Sequence, residues 1–336
     1  MVHDIQKQAA VTSFDVAKIA GVSRSAVSRA FTTGASISPE TREKVLEAAA
    51  GLGYRVNLVA RGLNKQRTDL VGLIVSALST PYRAMQIDAL AKQLVRDGFR
   101  PMLFCIDESM REEQLLSILL NYQVSGVVIT SDAPPVAICE ECARMQVPLV
   151  LIHRMDNLPF VDRVNGDDLK GGRMAADVLV QSGRRHLIAV KLEDPGYSGI
   201  ARISAFHERA AELGIPSGDI SVLGDEYEGG VAAAPSVLEQ LDHFPGVFCP
   251  SDTVALGLLD TLRNKHAIRI PEQLGLIGYD DIPQARWAFA DLTTIRQSVE
   301  DFAQVTVELL KDRIKNPDTD PHIKIVDVTL VMRGSV

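Results

Sequence analysis

Two arginines and three serines fall within seven residues of this 336-residue chain, at Ser23, Arg24, Ser25, Ser28 and Arg29. Their hydroxyl and guanidinium groups are the donors that contact phosphate oxygens and base edges in DNA. At the N-terminal end of a helix in the major groove, Arg24 and Ser25 would read bases. Ser23, Ser28 and Arg29 would contact phosphates or base edges. The stretch therefore predicts hydrogen bonding to nucleic acid.

Three short helices are predicted around this stretch, because a helix cap precedes each of three apolar patterns. Thr12 with Asp15 starts the first helix, Ser23 the second, and Ser38 followed by proline the third. The residues Ala-Gly-Val-Ser at 20–23 suit a tight helix-turn-helix corner. We expect these apolar residues to share one core: Val16, Ile19, Ala20, Val27, Ala30, Phe31, Val45, Leu46, Ala49 and Leu52. Spacing alone fits an ordinary three-helix packing unit equally well.

Charge separates the first 67 residues from the rest of the chain. They hold ten Lys and Arg against five Asp and Glu, so of the 35 basic and 43 acidic residues in total the remainder holds 25 and 38. A basic segment on an acidic chain favours a polyanion-binding head on an acidic body. The overall net charge of −8 conceals this division.

Residues 11–23, 26–29, 38–45, 53–54 and 57 resemble the DNA-binding domain of the lactose/galactose repressor (LacI) family of bacterial transcription regulators, without a gap. The matching segments read VTSFDVAKIAGVS, AVSR, SPETREKV, GY and N. The resemblance implies that Arg24, Ser25 and Arg29 hold the main base-reading positions. The predicted DNA contacts of the head are Thr12, Ser23, Arg24, Ser25, Ser28 and Arg29.

The same resemblance implies a hinge helix at 57–64 that forms on operator binding, with Asn57 and Leu63 at the DNA and Leu63 wedged into the minor groove. Independently, the apolar pattern of this segment makes a helix of about two turns, which is too short to be stable alone. A wedge between base steps kinks the duplex. Packing of Leu63 on the body is the alternative. Val56 stands where the family usually has proline, so the free hinge should be less pre-organised.

After the polar tether at 65–69, apolar runs alternate with amphipathic helices, a pattern typical of parallel α/β architecture. Strands are predicted at 70–75, 101–106, 126–130 and 148–152, then at 186–192, 220–223, 246–250 and 274–278. Helices are predicted at 82–97, 112–122, 136–145, 169–182, 202–213, 233–241 and 253–265. Two such sets in about 270 residues fit two lobes. Strands at 293–297 and 323–332 are expected to cross back between them.

The predicted domains are therefore a helix-turn-helix head at 1–56, a hinge and tether at 57–68, and a two-lobed effector-binding and dimerisation domain at 69–336. Ligands of open α/β sheets bind at the carboxyl ends of strands, and two facing lobes turn those ends into one cleft. The candidate segments lie just after strands: 76–82, Asp107, 153–154, 193–202, 225–227, 251–252 and 279–281.

The resemblance to the LacI family continues through this region at 167–172, 183–186, 270–281 and 292–295, and implies a core similar to periplasmic sugar-binding proteins. It implies that Arg202 and Asp252 bind a small effector, where a guanidinium fork and a carboxylate suit a polyhydroxylated, sugar-like ligand. Tyr82 matches a pocket position, and Tyr227 aligns loosely with a pocket aromatic. Arg83 replaces an aromatic residue, which favours an anionic or phosphorylated ligand, although an exposed arginine is the commoner explanation.

Several classes of protein are disfavoured. Residues 1–10 lack the features of a signal peptide, and no apolar run reaches the length of about 18 residues that a membrane-spanning helix needs. We therefore expect a cytoplasmic protein that does not bind a membrane. Four cysteines give no disulfide framework, and the CEEC segment at 139–142 fits a helix face better than a metal or redox site. Common catalytic and phosphate-loop motifs are absent from the sequence. We therefore expect no enzyme, no metal and no cofactor.

Together these features predict an effector-controlled transcription regulator, a repressor, that binds a double-stranded operator. One head has a small contact area, so a homodimer on a pseudo-palindrome is expected. The competing hypothesis is a solute-binding protein without a DNA role, which the basic head and the missing signal peptide oppose.

Overall fold

The computed structural model describes residues 11–32, 34–55, 68–75, 78–105, 119, 121–130, 136–154, 161–193, 195–224 and 226–336. Two compact units divide at Thr68, a head of 68 residues and a body from Asp69 to Val336. The predicted hinge residues Asn57 and Leu63 lie outside the described residues. Most of the helix predicted at 112–122 does so too.

Three helices build the head: α1 (Ser13–Ala20), α2 (Arg24–Ala30) and α3 (Pro39–Leu52). Their starts follow the predicted caps. The Asp15 carboxylate accepts from the backbone N–H of Thr12 at 2.8 Å and from its hydroxyl at 2.7 Å. The hydroxyls of Ser23 and Ser38 each accept a backbone N–H three residues on, at 3.2 Å. Each cap satisfies a donor that has no partner within the helix.

The core of the head is smaller than the apolar pattern predicts. Its buried residues are Val16, Ala17, Val27, Ala30, Val45 and Ala49. Ile19 is 61% exposed and Leu46 is 43% exposed, so their assignment to this core was wrong. Three helices of 8, 7 and 14 residues have too little interior to cover every apolar position on their faces.

The body contains two six-stranded sheets, each flanked by helices. Lobe 1 has the strand order β11-β5-β4-β3-β1-β2 and lobe 2 the order β12-β10-β9-β8-β6-β7. The strands are β1 (Leu70–Val75), β2 (Arg100–Cys105), β3 (Gly126–Thr130), β4 (Leu149–Ile152), β5 (Val161–Gly166), β6 (Leu187–Leu192), β7 (Ser217–Val222), β8 (Gly246–Phe248), β9 (Gly275–Asp280), β10 (Thr293–Gln297), β11 (Ile323–Val326) and β12 (Val328–Val331). All described pairs are parallel except β10 with β12. The predicted two-lobed α/β core is confirmed.

Helices of the body are α4 (Pro81–Arg96), α5 (Val136–Arg144), α6 (Asp168–Gln181), α7 (Gly196–Glu212), α8 (Glu226–Leu238), α9 (Asp252–His266) and α10 (Val299–Lys315). Helix α10 packs on α4 and on the sheet of lobe 1, whereas α6 packs on α7 and α8 on α9 in lobe 2. Each lobe is therefore built from segments that lie far apart in the sequence.

Three crossings connect the lobes. The first runs from β5 to α6 at 166–168, the second from β10 to α10 at 297–299, and the third from β11 to β12 at 326–328. The sequence missed β5, whose segment VDRVNG carries charged and polar residues although all six are buried. The single strand predicted at 323–332 is two strands, one in each lobe.

The reason for the charges on β5 is a buried ion pair. Asp162 and Arg313 are 1% and 3% exposed, and two guanidinium nitrogens of Arg313 donate to the two carboxylate oxygens at 2.9 and 2.7 Å. The backbone N–H of His322 adds a third hydrogen bond to Asp162 at 2.8 Å. The pair thus fixes α10 and the start of β11 to the centre of lobe 1.

Removing the Asp162 charge should destabilise the body, because the Arg313 guanidinium stays buried without its counter-ion and keeps only the carbonyl oxygens of Pro317, Thr319 and Asp320 as acceptors. We expect Asp162→Asn to lower the free energy of unfolding by about 3–5 kcal/mol. Asp88→Asn is the matched control, since Asp88 pairs with Lys92 in an ion pair that is about three-fifths exposed on both sides. Its loss should cost less than about 1 kcal/mol. Urea unfolding of both variants measures the difference, and equal losses would contradict it.

Candidate functional site

A cavity of about 710 Å³ lies between the two lobes of the body. Strand ends and helix starts from both lobes line it, as the carboxyl-end rule for α/β sheets predicts. The polar and aromatic lining residues are Ser79, Thr80, Tyr82, Arg83, Gln86 and His153 from lobe 1, Gln297 from the second crossing, and Glu193, Tyr197, Ser198, Arg202, Glu226, Tyr227, Ser251, Thr253 and Asp280 from lobe 2. A cavity of this size can hold a ligand of one or two sugar rings.

Arg202 is the central charged group of the cavity. Its side chain is buried, and Nε donates to Asp168 at 2.7 Å while Nη1 donates to the carbonyl oxygen of Pro250 at 2.8 Å. The guanidinium carbon lies 3.7 Å from the centre of the Tyr279 ring. Burial disfavours its charge, but Asp168, Tyr279 and Asp280 outweigh that effect and raise the pKa of Arg202. Arg202 is therefore a fixed cation with a defined orientation.

Close helix packing sets that orientation. Helix α7 carries Arg202 and lies against α6 at Gly172, where an added Cβ would come within 2.1 Å of the Arg202 carbonyl oxygen. Any larger residue at that position would push the two helices apart. The glycine therefore brings Arg202 within reach of Asp168, which begins α6.

Asp280 is the carboxylate that faces Arg202, with 3.7 Å between Oδ1 and Nη1. It ends β9 with φ at 112°, in the region of backbone conformation that favours glycine, and the Gln297 amide donates to its Oδ1 at 2.7 Å. Burial raises the pKa of Asp280, Arg202 opposes this, Glu226 adds to it, and the result is about 7. Strain and a shifted pKa at one cavity residue are typical of a functional site.

Asp252 occupies a different position from the one that the resemblance implies. It does not line the cavity, it is fully buried within lobe 2, and both carboxylate oxygens already accept hydrogen bonds. The Thr294 hydroxyl donates to Oδ1 at 2.5 Å, and the Ile282 backbone N–H donates to Oδ2 at 2.9 Å. A Cβ on Gly278 would lie 2.2 Å from Oδ1, so that glycine makes room for the carboxylate. Asp252 ties α9 to β9 and β10, and a direct contact with an effector stays a prediction.

Tyr82 and His153 form the wall that lobe 1 contributes. The Tyr82 hydroxyl is buried and has no hydrogen-bond partner in the described part of the chain, and its ring lies 6.1 Å from the imidazole of His153. The His153 ring nitrogens lie 3.3 Å from the Gln86 amide and 3.4 Å from the hydroxyl of Ser198, in lobe 2. Burial lowers the pKa of His153 to about 4, so the ring is neutral near pH 7. His153 thus connects the lobes without adding charge.

Arg83 and Tyr227, the other two predicted pocket residues, both line the cavity. Tyr227 is 40% exposed, and its hydroxyl donates to Asp260 at 2.8 Å, so the ring and the acceptor side of the hydroxyl are left for a ligand. The structure therefore brings Tyr82, Arg83, Arg202 and Tyr227 to one cavity. Sequence reasoning did not single out Asp280 and Gln297, although the segment at 279–281 was among those expected at a strand end.

On the head, the structure leaves the predicted DNA contacts accessible to solvent. Thr12, Ser23, Arg24, Ser25, Ser28 and Arg29 are all exposed. The hydroxyls of Ser23 and Ser25 lie 2.8 Å apart, and Nε of Arg29 donates to the carbonyl oxygen of Ser25 at 3.3 Å. Buried Val27 and Ala30 fix the opposite face of α2 to the core. Helix α2 therefore presents donors to the outside, as a reading helix requires.

A serine, a histidine and an aspartate also meet in lobe 2, where sequence motifs gave no sign of them. The His207 ring nitrogens lie 2.8 Å from the Ser217 hydroxyl and 2.6 Å from an oxygen of Asp219. Ser217 and Asp219 belong to β7, an edge strand, and none of the three residues lines the cavity. We interpret the group as a structural set of hydrogen bonds that joins α7 to the edge strand, rather than as a nucleophilic triad.

A helix-turn-helix head with an exposed polar face, joined in one chain to a two-lobed body with a charged cavity, defines a ligand-responsive DNA-binding regulator. In the part of the chain that the structure describes, no helix has the length and apolarity needed to cross a membrane.

Comparison with known proteins agrees with this class. Residues 14–57 match the profile of bacterial regulatory proteins of the lacI family, and residues 176–336 match that of the periplasmic binding protein-like domain. The transcriptional regulator CelR of Thermobifida fusca is 31% identical over 332 residues, which cover 95% of this chain and 96% of CelR. The chain belongs to the LacI family of bacterial transcription regulators.

Other relatives are also regulators. The ribose operon repressor of Haemophilus influenzae is 28% identical over 97% of this chain and 98% of its own length. The HTH-type transcriptional repressor PurR of Erwinia tasmaniensis is 30% identical over 96% of both chains. These relatives are transcription regulators rather than enzymes.

Solved structures show the same architecture. The CelR complex with cellobiose superimposes with a TM-score of 0.73 at 30% identity, covering 97% of this chain and all of the other. The lac repressor dimer bound to operator and the anti-inducer ONPF gives a TM-score of 0.85 at 25% identity, with 97% and 99% covered.

The titration of Asp280 can be measured directly. Its carboxyl carbon should titrate in NMR with a midpoint at about 7, and Asp280→Asn should remove that signal. The folded pKa lies above the unfolded value of about 4. The protonated Asp280 carboxyl therefore makes its full contribution to the free energy of unfolding below about pH 4. This contribution is lost as the pH rises through 7. A midpoint near 4 would contradict the desolvated position of Asp280.

Proposed function

We propose that this chain is a repressor that acts in the cytoplasm as a homodimer on a pseudo-palindromic operator and releases or retains DNA according to a small polyhydroxylated effector between its lobes. The observation that carries the proposal is the fixed Arg202 guanidinium in an inter-lobe cavity of a chain that also has a reading head. We propose no enzymatic role, since the family relatives are regulators.

Unpartnered polar atoms at the cavity support an effector rich in hydroxyl groups. Among the described residues that line the cavity, the Tyr82 hydroxyl and Oε1 of Gln297 are buried without a hydrogen-bond partner. Each such group costs free energy until a partner is supplied. A sugar-like ligand offers alternating donors and acceptors, and the Arg202 and Asp280 pair can bind adjacent hydroxyls. The cellobiose in CelR and the ribose in two other regulators of known structure have the same chemistry.

Roles of the individual residues follow from their positions. Arg202 and Asp280 would hold the effector, with Tyr82, Arg83 and Tyr227 forming its surroundings. Asp252 would act as a positioning residue, because it fixes Ile282, two residues beyond Asp280, and Thr294 on β10. A contribution of Asp252 to the effector response would therefore be indirect.

Control of DNA binding would come from lobe closure. An effector that contacts both lobes favours one closure over another, and it can change operator affinity only by its different affinity for the two states, about 1–3 kcal/mol in typical cases. The Ser198 hydroxyl and the His153 ring lie 3.4 Å apart across the cavity, so a change in lobe closure would form or break hydrogen bonds between the lobes. We propose that the change reaches DNA through the hinge at 57–64, with Asn57 and Leu63 at the operator, although these residues lie outside those described.

Base reading by α2 gives one prediction. Arg24→Ala and Ser25→Ala should change which operator sequence is preferred, at about 1–3 kcal/mol for a good bidentate base contact. Lys44→Ala is the control, because Lys44 pairs with Glu40 on α3. Selection from a randomised operator library measures the preference. An unchanged preferred sequence in both α2 variants would remove them from the reading role.

A second prediction concerns the response of operator affinity to the effector. Arg202→Met should abolish the change in operator affinity that a cavity ligand causes, and leave ligand-free operator affinity within about threefold, because the reading face is part of the head unit. Arg173→Met is the control, since Arg173 pairs with Glu212 on the surface of the same lobe. Fluorescence titration of operator DNA with and without cellobiose or ribose measures the response. A full response in Arg202→Met would place the effector elsewhere.

A further inference from the structure

The charges around the cavity are not balanced. Three carboxylates line it on the side of lobe 2, at Glu193, Glu226 and Asp280. The guanidinium of lobe 2, Arg202, already has Asp168 as its own ion-pair partner at 2.7 Å. Lobe 2 therefore lines the cavity with three carboxyl groups and one guanidinium, and His153 on the side of lobe 1 adds no positive charge.

Asp280 is buried, whereas Glu226 is half-buried and Glu193 is exposed. The surroundings of Asp280 are Arg202 and Asp168 from α7 and α6, Glu226 from α8, and the neutral amide of Gln297 at the second crossing. Burial and the charge of Glu226 together outweigh Arg202, so the pKa of Asp280 rises to about 7. A carboxylate beside an arginine usually shows the opposite shift. The charge of Arg202 therefore does not cancel the effects of burial and of Glu226 on Asp280.

Aromatic rings complete the same surface. Tyr82, Tyr197 and Tyr227 line the cavity with the three carboxylates. The face of an aromatic ring attracts an ammonium group through its quadrupole, and carboxylates accept its N–H donors. Gln297, which is 2% exposed, adds a buried carbonyl oxygen without a hydrogen-bond partner in the described residues. All of these groups are acceptors or attract cations.

Resting on the proposed function, we propose that the effector is an amine-bearing polyol, such as an amino sugar, whose cationic nitrogen lies against Glu226 and Asp280 while its hydroxyls meet Arg202. A phosphorylated ligand would bring an anion to a wall of like charge. Arg83 does not reverse this balance, because it is one cation on the opposite lobe. The anionic ligand that the Arg83 replacement favours in the sequence is thus the competing outcome.

Two sets of matched probes test the charge of the ligand on the full-length protein. The first is Tris, an aminotriol, against pentaerythritol, its neutral counterpart with a hydroxymethyl group in place of the amine. The second consists of glucosamine, glucose and glucose 6-phosphate, together with the corresponding galacto and manno compounds. Thermal shift in phosphate-free buffer at pH 7 and constant ionic strength measures binding. We expect the amine to give the largest shift in each set and the phosphate to give none.

Two glutamates on the first turn of α8 provide matched variants. Glu226 lines the cavity, whereas Glu228 is exposed and does not. Glu226→Gln should weaken binding of the best amine about tenfold and leave its neutral counterpart within about twofold, because only the cation loses an ion pair. Glu228→Gln should change neither. Equal losses for the amine and the neutral compound would show that Glu226 acts on shape rather than charge, and would overturn the proposal.

The remaining outcomes separate this inference from the proposed function. If neutral or phosphorylated sugars bind at least as well as amines and Arg202→Met abolishes that binding, the amine inference fails and the cavity effector stands. If no probe shifts the melting temperature and none changes operator affinity, both fail.

Discussion

A buried guanidinium is the constraint on which the cavity depends. Removing Arg202 from water costs several kcal/mol unless anions and acceptors surround it. Its partners come from three elements: Asp168 at the start of α6, the Pro250 carbonyl after β8, and the ring and carboxylate at 279–280 on β9. Neutralising the Arg202 cation thus brings the ends of β8 and β9 and the first crossing together around its guanidinium. Gly172 contributes to this arrangement, because only glycine lets α7 approach α6 closely enough for Arg202 to reach Asp168.

The ion pair also lies beside the segments that connect the lobes. Asp168 follows the first crossing directly, and Gln297, which donates to Asp280, begins the second. A ligand that changes the Arg202 and Asp280 pair therefore acts next to two of the three segments that connect the lobes. Lobe 1 contributes a neutral histidine and a tyrosine hydroxyl to the opposite wall. This arrangement gives a physical link between ligand chemistry and closure, since bonds across the cavity exist only when both walls are close.

The fold could be predicted from the sequence wherever local and global signals agree. Caps and apolar spacing located the head helices, and alternating apolar runs located most strands. Strand β5 was missed because its charges serve the Asp162 and Arg313 pair, and a partner 151 residues away is invisible in a local pattern. The cavity shows the same limit. Asp252 follows β8 and Asp280 ends β9. Only the three-dimensional structure shows that Thr294 and Ile282 hold Asp252 inside lobe 2, whereas Asp280 faces Arg202.

The head and the body should respond differently to salt. Contacts between the basic head and phosphates weaken steeply as salt rises, because binding releases counterions. The Arg202 ion pair is buried, so screening by mobile ions hardly reaches it. Allosteric coupling is the difference between two operator-binding free energies, with and without effector. If the effector leaves the number of phosphate contacts unchanged, salt weakens both affinities equally and the coupling stays constant. A coupling that varies with salt would instead mean that lobe closure alters how many phosphates the heads touch, which is the behaviour expected when a hinge orders or melts.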